Sequence, residues 1–520
     1  MKRRQFLHKS SAVVSIPVLL NGLPLSAIGR NSFLPSFNDE SDKVLVLVQM
    51  NGGNDGLNMV IPRDQYSELF KARSNVLIPE NAIVPVTDKV GFHPMMTGLR
   101  SLYDEGQLGI VQSVGYPNQN RSHFRSSDIW FTGSPPDEFW TTGWMGRYLD
   151  SVVEGYPEGY PNDSNPDPFA ITIGSIVSET CQGAAANYCL TITDPFSLSP
   201  LYEGSPTDVP GTPYGEELSF LRTTIAQTNA YGEVVTAAAE KATNLAAYPE
   251  DNGLAQQLKT VALLIAGGLK TNVYVVNIGG FDTHANQVME GDKTNGEHAQ
   301  LLRNLSEAIA AFQKDLSLLG IQERVAGMTF SEFGRQIASN DSFGTDHGTA
   351  APLILFGSCV NPSIVGDNPD IPNNVSRGEG VPMQYDFRDV YGSILMDWFD
   401  VTQEDIQNMF YAGFSYIPLF NSCKPTSVQD ELKAGEDLLL NNYPNPFPNW
   451  TNIRFESTGG HVRLSVFNAM GSELQVLVNK HLEAGEHQLS FNGSHLPAGN
   501  YYYRLQVPGR VKTRRMVKVR

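Results

Sequence analysis

Runs of apolar residues in this chain stop abruptly at clusters of Gly, Asp, Glu, Asn and His. Val44–Met50 ends in Asn51-Gly52-Gly53-Asn54-Asp55-Gly56, Val273–Ile278 in Gly279-Gly280-Phe281-Asp282-Thr283-His284, and Val325–Phe330 in Ser331-Glu332-Phe333-Gly334-Arg335. Asp346-His347-Gly348 precedes a fourth run, Ala350–Phe356. With Leu108–Val114 and Phe169–Ile173, these near-continuous apolar stretches read as parallel strands buried on both faces. Helical patterns lie between them. Glu297–Leu319 puts Leu301, Leu305, Ile309, Phe312 and Leu316 on one face; Leu254–Leu269 and the Ala-rich Val234–Ala247 also read as helix. The alternation predicts an α/β domain over residues 40–425, built on a doubly wound, mostly parallel sheet. Gly155–Pro168 and Glu203–Gly215, rich in Pro and Gly, read as insertions.

The pattern changes near Lys433. After a turn-rich Asn442-Tyr443-Pro444-Asn445-Pro446-Phe447, residues alternate with period two in Thr451–Phe455, Val462–Phe467, Glu473–Val478, Glu486–Phe491 and Tyr501–Val507, and a basic strand, Arg510–Arg520, ends the chain. Short alternating strands separated by turns predict a small all-β sandwich over 441–520, joined through a linker at 426–440. At the other end, Lys2-Arg3-Arg4 precedes Phe6-Leu7, an apolar stretch Ala12–Leu20 and small residues near Ser26-Ala27. A cationic start, an apolar middle and small residues make an export signal over residues 1–30. Pro17 and Pro24 interrupt an apolar part already too short to span a bilayer, which argues against a stable transmembrane anchor.

Bulk composition adds limits. The 520 residues exceed one ordinary domain, and with 41% hydrophobic and 18% charged residues the chain can bury a core. A formal charge of −18 argues against nucleic acid as a partner. None of the four cysteines sits in a CxxC, so a thiolate zinc site is not expected. Cys181 and Cys189 close a short loop and are a candidate disulfide in an exported protein, which would leave Cys359 and Cys423 as a second pair.

In an open α/β sheet, ligands bind beyond the carboxyl ends of the strands. The residues gathered there are carboxylates and imidazoles, donors that suit Zn²⁺, Mn²⁺, Fe or Mg²⁺. Asp282 and His284, two apart in an extended segment, point the same way and can reach one ion; a hydrogen bond that merely orders the loop is the alternative. Glu332 reads either as a ligand or as a partner of Arg335. Asp55 is presented by a Gly-rich turn that is neither a Walker loop nor a dinucleotide fingerprint. Asp346 and His347 complete the candidate metal set. Ser122, in Arg121-Ser122-His123-Phe124-Arg125, reads as the N-cap of a helix. That helix end favours an anion, which Arg121 and Arg125 would clamp, with Ser122 as a candidate nucleophile and His123 beside it. His93 and His298 are weaker candidates.

Three resemblances follow from these motifs. Arg3-Arg4 with Phe6-Leu7 looks like a twin-arginine signal, which implies the Tat translocase. Tyr443-Pro444-Asn445-Pro446-Phe447, Val466–Gly471 and Leu496–Tyr502 resemble the C-terminal sorting domain of the type IX secretion system. That implies transit through the periplasm and release or display at the cell surface. Asn51–Asn58, Gly91-Phe92-His93-Pro94, Arg121–Phe124, Gly143–Arg147, Phe281–His284, Ser331–Arg335 and Thr345–Gly348 resemble the domain-of-unknown-function 1501 family, a branch of the alkaline phosphatase and sulfatase superfamily. This implies an alkaline-phosphatase-like fold with a divalent metal, two in active members, beside a Ser or Thr nucleophile. The chain departs from that pattern: Asn51, not Asp, follows the first strand, and Glu332-Phe333 stands where an Asp-His pair is usual. The expectation is an exported metal-dependent hydrolase of phosphate or sulfate esters, acting on a small anionic ester or a sulfated or phosphorylated polymer. The catalytic set is Ser122, Arg121 and His123; the metal set is Asp55, Asp282, His284, Glu332, Asp346 and His347. The alternative is a non-catalytic secreted or cell-surface binding protein on the same scaffold.

Overall fold

The structure, a computed structural model, describes residues 42–198, 212–421, 442, 445–457, 459–468, 473–483, 485–507 and 510–519. The export signal expected at 1–30, the linker at 426–440 and Cys423 lie outside these residues. The chain divides into two compact units, one up to residue 424 and one from residue 425.

In the first unit the apolar runs form strands β1 (Val44–Met50), β2 (Leu108–Gly115), β3 (Ala170–Ile173), β4 (Cys189–Ile192), β5 (Val273–Ile278) and β6 (Val325–Phe330). A hairpin follows, β7 (Arg335–Ser339) with β8 (Thr345–His347), then β9 (Ala351–Phe356), β10 (Ile364–Val365) and β11 (Tyr385–Asp386). One sheet runs in the order β10-β2-β9-β6-β1-β5-β3-β4, with β11 also on β2. At its centre β1 pairs in parallel with both β5 and β6. The exception to parallel pairing is β9, which runs antiparallel to β2 and β6.

The main helices are α1 (His123–Thr132), α2 (Trp144–Val152), α3 (Pro213–Lys241), α4 (Gly253–Ala266), α5 (Glu297–Leu318) and α6 (Phe387–Phe399). Successive side chains of β1 feed opposite layers, as strand geometry requires. Val44, Val46 and Val48 pack with Leu258 and Val261 of α4 and Leu305 and Ile309 of α5. Leu45 and Leu47 pack with Ile129 of α1, Trp144 of α2 and Ile394 and Trp398 of α6. Helices on both faces make the sheet doubly wound, as the sequence pattern predicts. Each fully buried Val or Leu contributes about 1.5–3 kcal/mol, so the continuous apolar run secures β1 at the centre. The consequence for function is positional: β1, β5 and β6 lie side by side and run the same way, so their trailing loops meet at one edge.

Two expectations are corrected. The Ala-rich stretch is the end of the longer α3, which starts at Pro213 and stops at Lys241, so 242–247 are not helical. Cys181 and Cys189 are buried free thiols. Their mutual hydrogen bond and then burial push the Cys181 thiol up and keep it protonated. Cys359 is the disulfide-bonded cysteine.

The second unit contains strands β12 (Trp450–Ser457), β13 (Gly460–Asn468), β14 (Glu473–Leu482), β15 (Gly485–Asn492), β16 (Gly499–Val507) and β17 (Arg510–Lys518). β12 pairs with β15, and the other four form a sheet in the order β14-β13-β16-β17. Ile453, Phe455 and Phe491 from the pair share a core with Leu464, Val466, Tyr503 and Met516 from the sheet. Every second residue of β16 is buried, so the period-two pattern seen in the sequence is the inside-outside alternation of a sandwich.

Candidate metal centre

Four loops bring the titratable side chains together. Asp282 and His284 follow β5, Glu332 follows β6, His347 ends β8, and His123 opens α1. Close approach of these loops depends on glycine. A Cβ on Gly52, whose φ is +122°, would lie 2.3 Å from the Asp282 backbone nitrogen, and one on Gly344 would lie 2.2 Å from the His284 carbonyl oxygen. Neither separation can be occupied, so the Gly-rich sequences here serve packing between loops.

The orientation of the three imidazoles is set by what their Nδ1 atoms touch. His347 Nδ1 is 2.8 Å from the Arg121 carbonyl oxygen. A carbonyl only accepts, so Nδ1 carries the proton and Nε2 of the neutral ring keeps its lone pair. His284 Nδ1 donates to Asp346 Oδ1 at 2.9 Å, and His123 Nδ1 donates to Glu332 Oε1 at 2.7 Å. All three Nε2 atoms then face Asp282. His347 Nε2 and His284 Nε2 lie 3.1 and 3.2 Å from Oδ1, and His123 Nε2 lies 3.4 Å from Oδ2. The Nε2 atoms of His284 and His347 are 2.8 Å apart. Two lone pairs at that distance repel unless a positive charge sits between them. Ring N–H groups tied to a carboxylate or a carbonyl, with the other nitrogens converging, are the arrangement of metal-binding histidines. His123, Asp282 and His347 offer ligand atoms that all lie within 4.8 Å of one another, and His284 joins them through His347.

Charge supports the same arrangement. Partial burial raises the Asp282 pKa, but Arg335, through its hydrogen bond and its charge, leads the interactions that bring it down to about 2. Burial lowers the pKa of His347, which keeps its ring neutral. For Asp346, burial is outweighed by the hydrogen bonds from His284 and Asn340, and its pKa falls. Phe333, itself buried, sits beneath two of the rings, with centroids 4.9 Å from His123 and 4.7 Å from His347.

The sequence-derived candidates thus divide. Asp282, His347 and His123 present donor atoms within 4.8 Å of one another, and His284 Nε2 adjoins the set beside His347 and Asp282. Glu332 is buried and its Oε1 also accepts from the Gly52 N–H at 2.9 Å, so with Asp346 it orients an imidazole. Asp55 does not reach the cluster. Its carboxylate is buried against Arg73 at 2.9 Å and Gln287 at 2.6 Å. Burial would raise the Asp55 pKa, but the Arg73 charge holds it below the usual range. The guanidinium of Arg121 donates to the Gly378 carbonyl at 2.7 Å, so this residue contributes its own carbonyl to His347 and does not present its charge. Arg125 pairs with Asp128. Ser122 is exposed and caps α1 without a side-chain hydrogen bond. His93 and His298 lie buried behind the site, where His298 Nε2 is 2.9 Å from Asn54 Oδ1.

Sequence reasoning missed Arg335, expected only as a partner of Glu332. It is buried and donates to the carbonyls of Gly53 at 2.6 Å, Thr345 at 2.8 Å, Phe281 at 2.9 Å and Gly52, and to Asp282 Oδ1 at 2.7 Å. One side chain therefore ties the loops after β1 and β5 to β8. A cavity of about 470 Å³ opens in front of Asp282, between His123 and Glu179. A larger one, about 1040 Å³, lies beyond His284 along Ala285–Arg303 and is lined by none of the three imidazoles.

Residues 215–396 match the family model described as "Protein of unknown function (DUF1501)", and residues 441–519 match "Secretion system C-terminal sorting domain". Asp282, His284, Glu332, Arg335 and His347 fall inside the first match; His123 precedes it. No curated protein matches. Solved structures similar to the chain include a protein in the alkaline phosphatase superfamily from Vibrio parahaemolyticus, 10% identical, covering 87% of this chain and 85% of its own, with a TM-score of 0.31. A sulfatase from Pseudoalteromonas sp. is 11% identical over 87% of this chain and 84% of its own, TM-score 0.31. The lipoteichoic acid synthase from Listeria monocytogenes is 11% identical over 66% and 69%, TM-score 0.28. The similarity to the DUF1501 family thus covers residues 215–396, and residues 441–519 match a secretion-system C-terminal sorting domain, which implies export.

Proposed function

We propose that the chain is an exported, divalent-cation-dependent hydrolase of phosphate or sulfate esters. The observation that carries this reading is the convergence of three imidazole Nε2 atoms on Asp282, at the amino end of α1. Nε2 of His123, His284 and His347 with the Asp282 carboxylate would hold the cation, a donor set that suits Zn²⁺, Mn²⁺ or Fe. A divalent ion bound there supplies a Lewis acid for an ester oxygen and lowers the pKa of an attacking hydroxyl.

The chain's own residues supply the rest. The first-turn N–H groups of α1, the helix that His123 opens, lack a side-chain cap, which favours an ester oxyanion there. Ser122, exposed at that helix end, is the candidate nucleophile, with water as the substitute. Glu332 holds the His123 ring and Asp346 the His284 ring, which fixes the proton on Nδ1 in both. Arg335 keeps Asp282 ionised and turned toward the imidazoles. One donor group is found among the described residues, with Phe333 packed against two of its rings, so we favour a single cation. The route we favour is a twin-arginine signal, periplasmic transit, then type IX secretion to the surface or medium.

The test is elemental analysis of purified protein beside turnover of a panel of phosphate and sulfate esters. About one equivalent of transition metal is expected, with activity abolished by chelator or by His347→Ala and sharply reduced by Ser122→Ala. Metal-replete protein that turns over no ester, yet binds glycan or protein tightly, would replace this reading with a non-catalytic binding protein.

A further inference from the structure

The 470 Å³ cavity in front of Asp282 has a character of its own. Its lining includes Phe124, Asp128, Phe131, Glu179, Asp282 and Glu332, and no Lys or Arg. Phe124, in the first turn of α1, is 91% exposed. A ring left so open at a cavity mouth has gained nothing from folding, and its face is available to a ligand. Among the carboxylates, Asp128 is paired with Arg125 and Asp282 with Arg335, and Glu332 accepts a hydrogen bond from His123. Glu179 takes part in no ion pair among the described residues. Burial first, and the neighbouring Asp128 charge second, hold its carboxyl above the usual range. Negative charge at that point is uncompensated, and a cation would relieve it.

We propose that this cavity takes the alcohol part of the ester and selects an alcohol that bears an ammonium group. Phe124 and Phe131 supply ring faces, and Glu179 supplies the counter-charge. Naming it the alcohol side rests on the ester-hydrolase reading; the charge selection does not. A cation over an aromatic face is attracted by the ring quadrupole, and the attraction grows where the site excludes water. A second anionic group on the alcohol meets the unpaired Glu179 carboxylate and no lining cation, and is turned away. The proposal therefore narrows the substrate expected from the sequence: a sulfated or phosphorylated polymer is disfavoured, and a phosphate or sulfate ester of an amino alcohol is favoured.

The test uses full-length protein and two probes of nearly identical shape, choline and its uncharged isostere 3,3-dimethylbutan-1-ol, titrated by ligand-observed NMR. Choline is expected to bind about tenfold tighter, a difference of about 1.4 kcal/mol. Glu179→Gln should remove that preference, and Phe124→Leu should weaken choline several-fold. Both side chains reach solvent, so neither variant should unfold the protein. Co-sedimentation with phosphatidylcholine vesicles that Glu179→Gln abolishes would identify a lipid headgroup as the source of the ammonium group; choline binding without sedimentation would identify a free amino alcohol. Equal affinity for the two alcohols, tighter binding of the uncharged one, or a preference that survives Glu179→Gln overturns the proposal. Loss of the hydrolase reading, through absent metal or turnover, is a separate result that leaves the choline titration to decide the pocket's selectivity.

Discussion

Arg335→Met should unfold the α/β unit more readily than any single ligand substitution at the site. The guanidinium is buried and donates to four backbone carbonyls and to Asp282, so its removal strands all five acceptors at once. Breaking a buried charge pair by removing one partner costs about 3–5 kcal/mol, and each stranded buried carbonyl adds roughly 1–3 kcal/mol where water cannot reach it. Asp282 is 47% exposed at its side chain and recovers solvation, which discounts the ionic part. A loss of about 4 kcal/mol is expected. Arg335→Lys keeps the charge but offers three donors from one point and no fork, so it should recover only about half.

Urea unfolding followed by tryptophan fluorescence is the assay. Trp130, Trp144 and Trp398 are buried in the α/β unit while Trp450 of the second unit is exposed, so the change in signal comes mainly from the α/β unit. The same variant should weaken metal binding, because Arg335 is the strongest of the interactions that lower the Asp282 pKa. A change below about 1 kcal/mol for Arg335→Met, or equal loss for Met and Lys, would show that the guanidinium does not hold these loops together.

The remaining outcomes separate scaffold from site. Asp55→Asn should cost about 3–5 kcal/mol by leaving Arg73 buried without its partner, while metal content stays unchanged; metal loss at wild-type stability would restore Asp55 as a ligand. Glu332→Gln should retain metal with affinity reduced about 10–100-fold, measured by competition with a chromogenic chelator, because Glu332 positions His123 and does not face the cation; complete loss would make it a ligand. Stability should fall on acidification from pH 6.5 towards 4. Burial brings His93 down to about 3 and His298 to about 4, so between those values and 6.5 the unfolded chain binds more protons than the folded one. The shift at His298 amounts to on the order of 3 kcal/mol. Thermal melts of His298→Gln should lose part of this acid sensitivity, and melts parallel to wild type at every pH would refute the assignment.

How much of this was legible in the sequence depends on the distance over which each signal acts. Central strands were readable because burial on both faces leaves only apolar residues, and Val44–Met50 shows no alternation to confuse with a surface strand. Sandwich strands were readable for the opposite reason, their strict period of two. The long α3 was read only at its Ala-rich end, because Gly215, Thr223, Thr224 and Asn229 interrupt apolar periodicity over the rest. Asp282, His284 and His347 lie together in the fold, as the sequence reading expected of strand ends in such a sheet, which converge whatever the loops contain. Asp55 was misplaced because its partner, Arg73, stands eighteen residues away with no pattern linking the two. Arg335 was read as a neighbour of Glu332 because local sequence cannot show that Gly52, Phe281 and Thr345 surround it.

The division between ligands and orienting groups follows from tautomer logic that no sequence contains. An imidazole chooses which nitrogen keeps its proton by the partner it finds, and here those partners come from the segment just before α1, from the loop after β6 and from β8. Three lone pairs are thereby aimed at an ionised carboxylate that Arg335 holds through Oδ1. In the absence of a cation this arrangement is costly: the nitrogens of His284 and His347 face each other at 2.8 Å, and the outer partners prevent either ring from turning away. A cation removes that cost, so its binding free energy appears directly as folding stability, growing as RT ln(1 + [metal]/Kd). At a metal concentration one hundred times Kd the gain is about 2.7 kcal/mol. On the proposed reading, the buried arginine and the two orienting carboxylates would hold the site ready for a cation, and its arrival would in turn secure the loops that carry them.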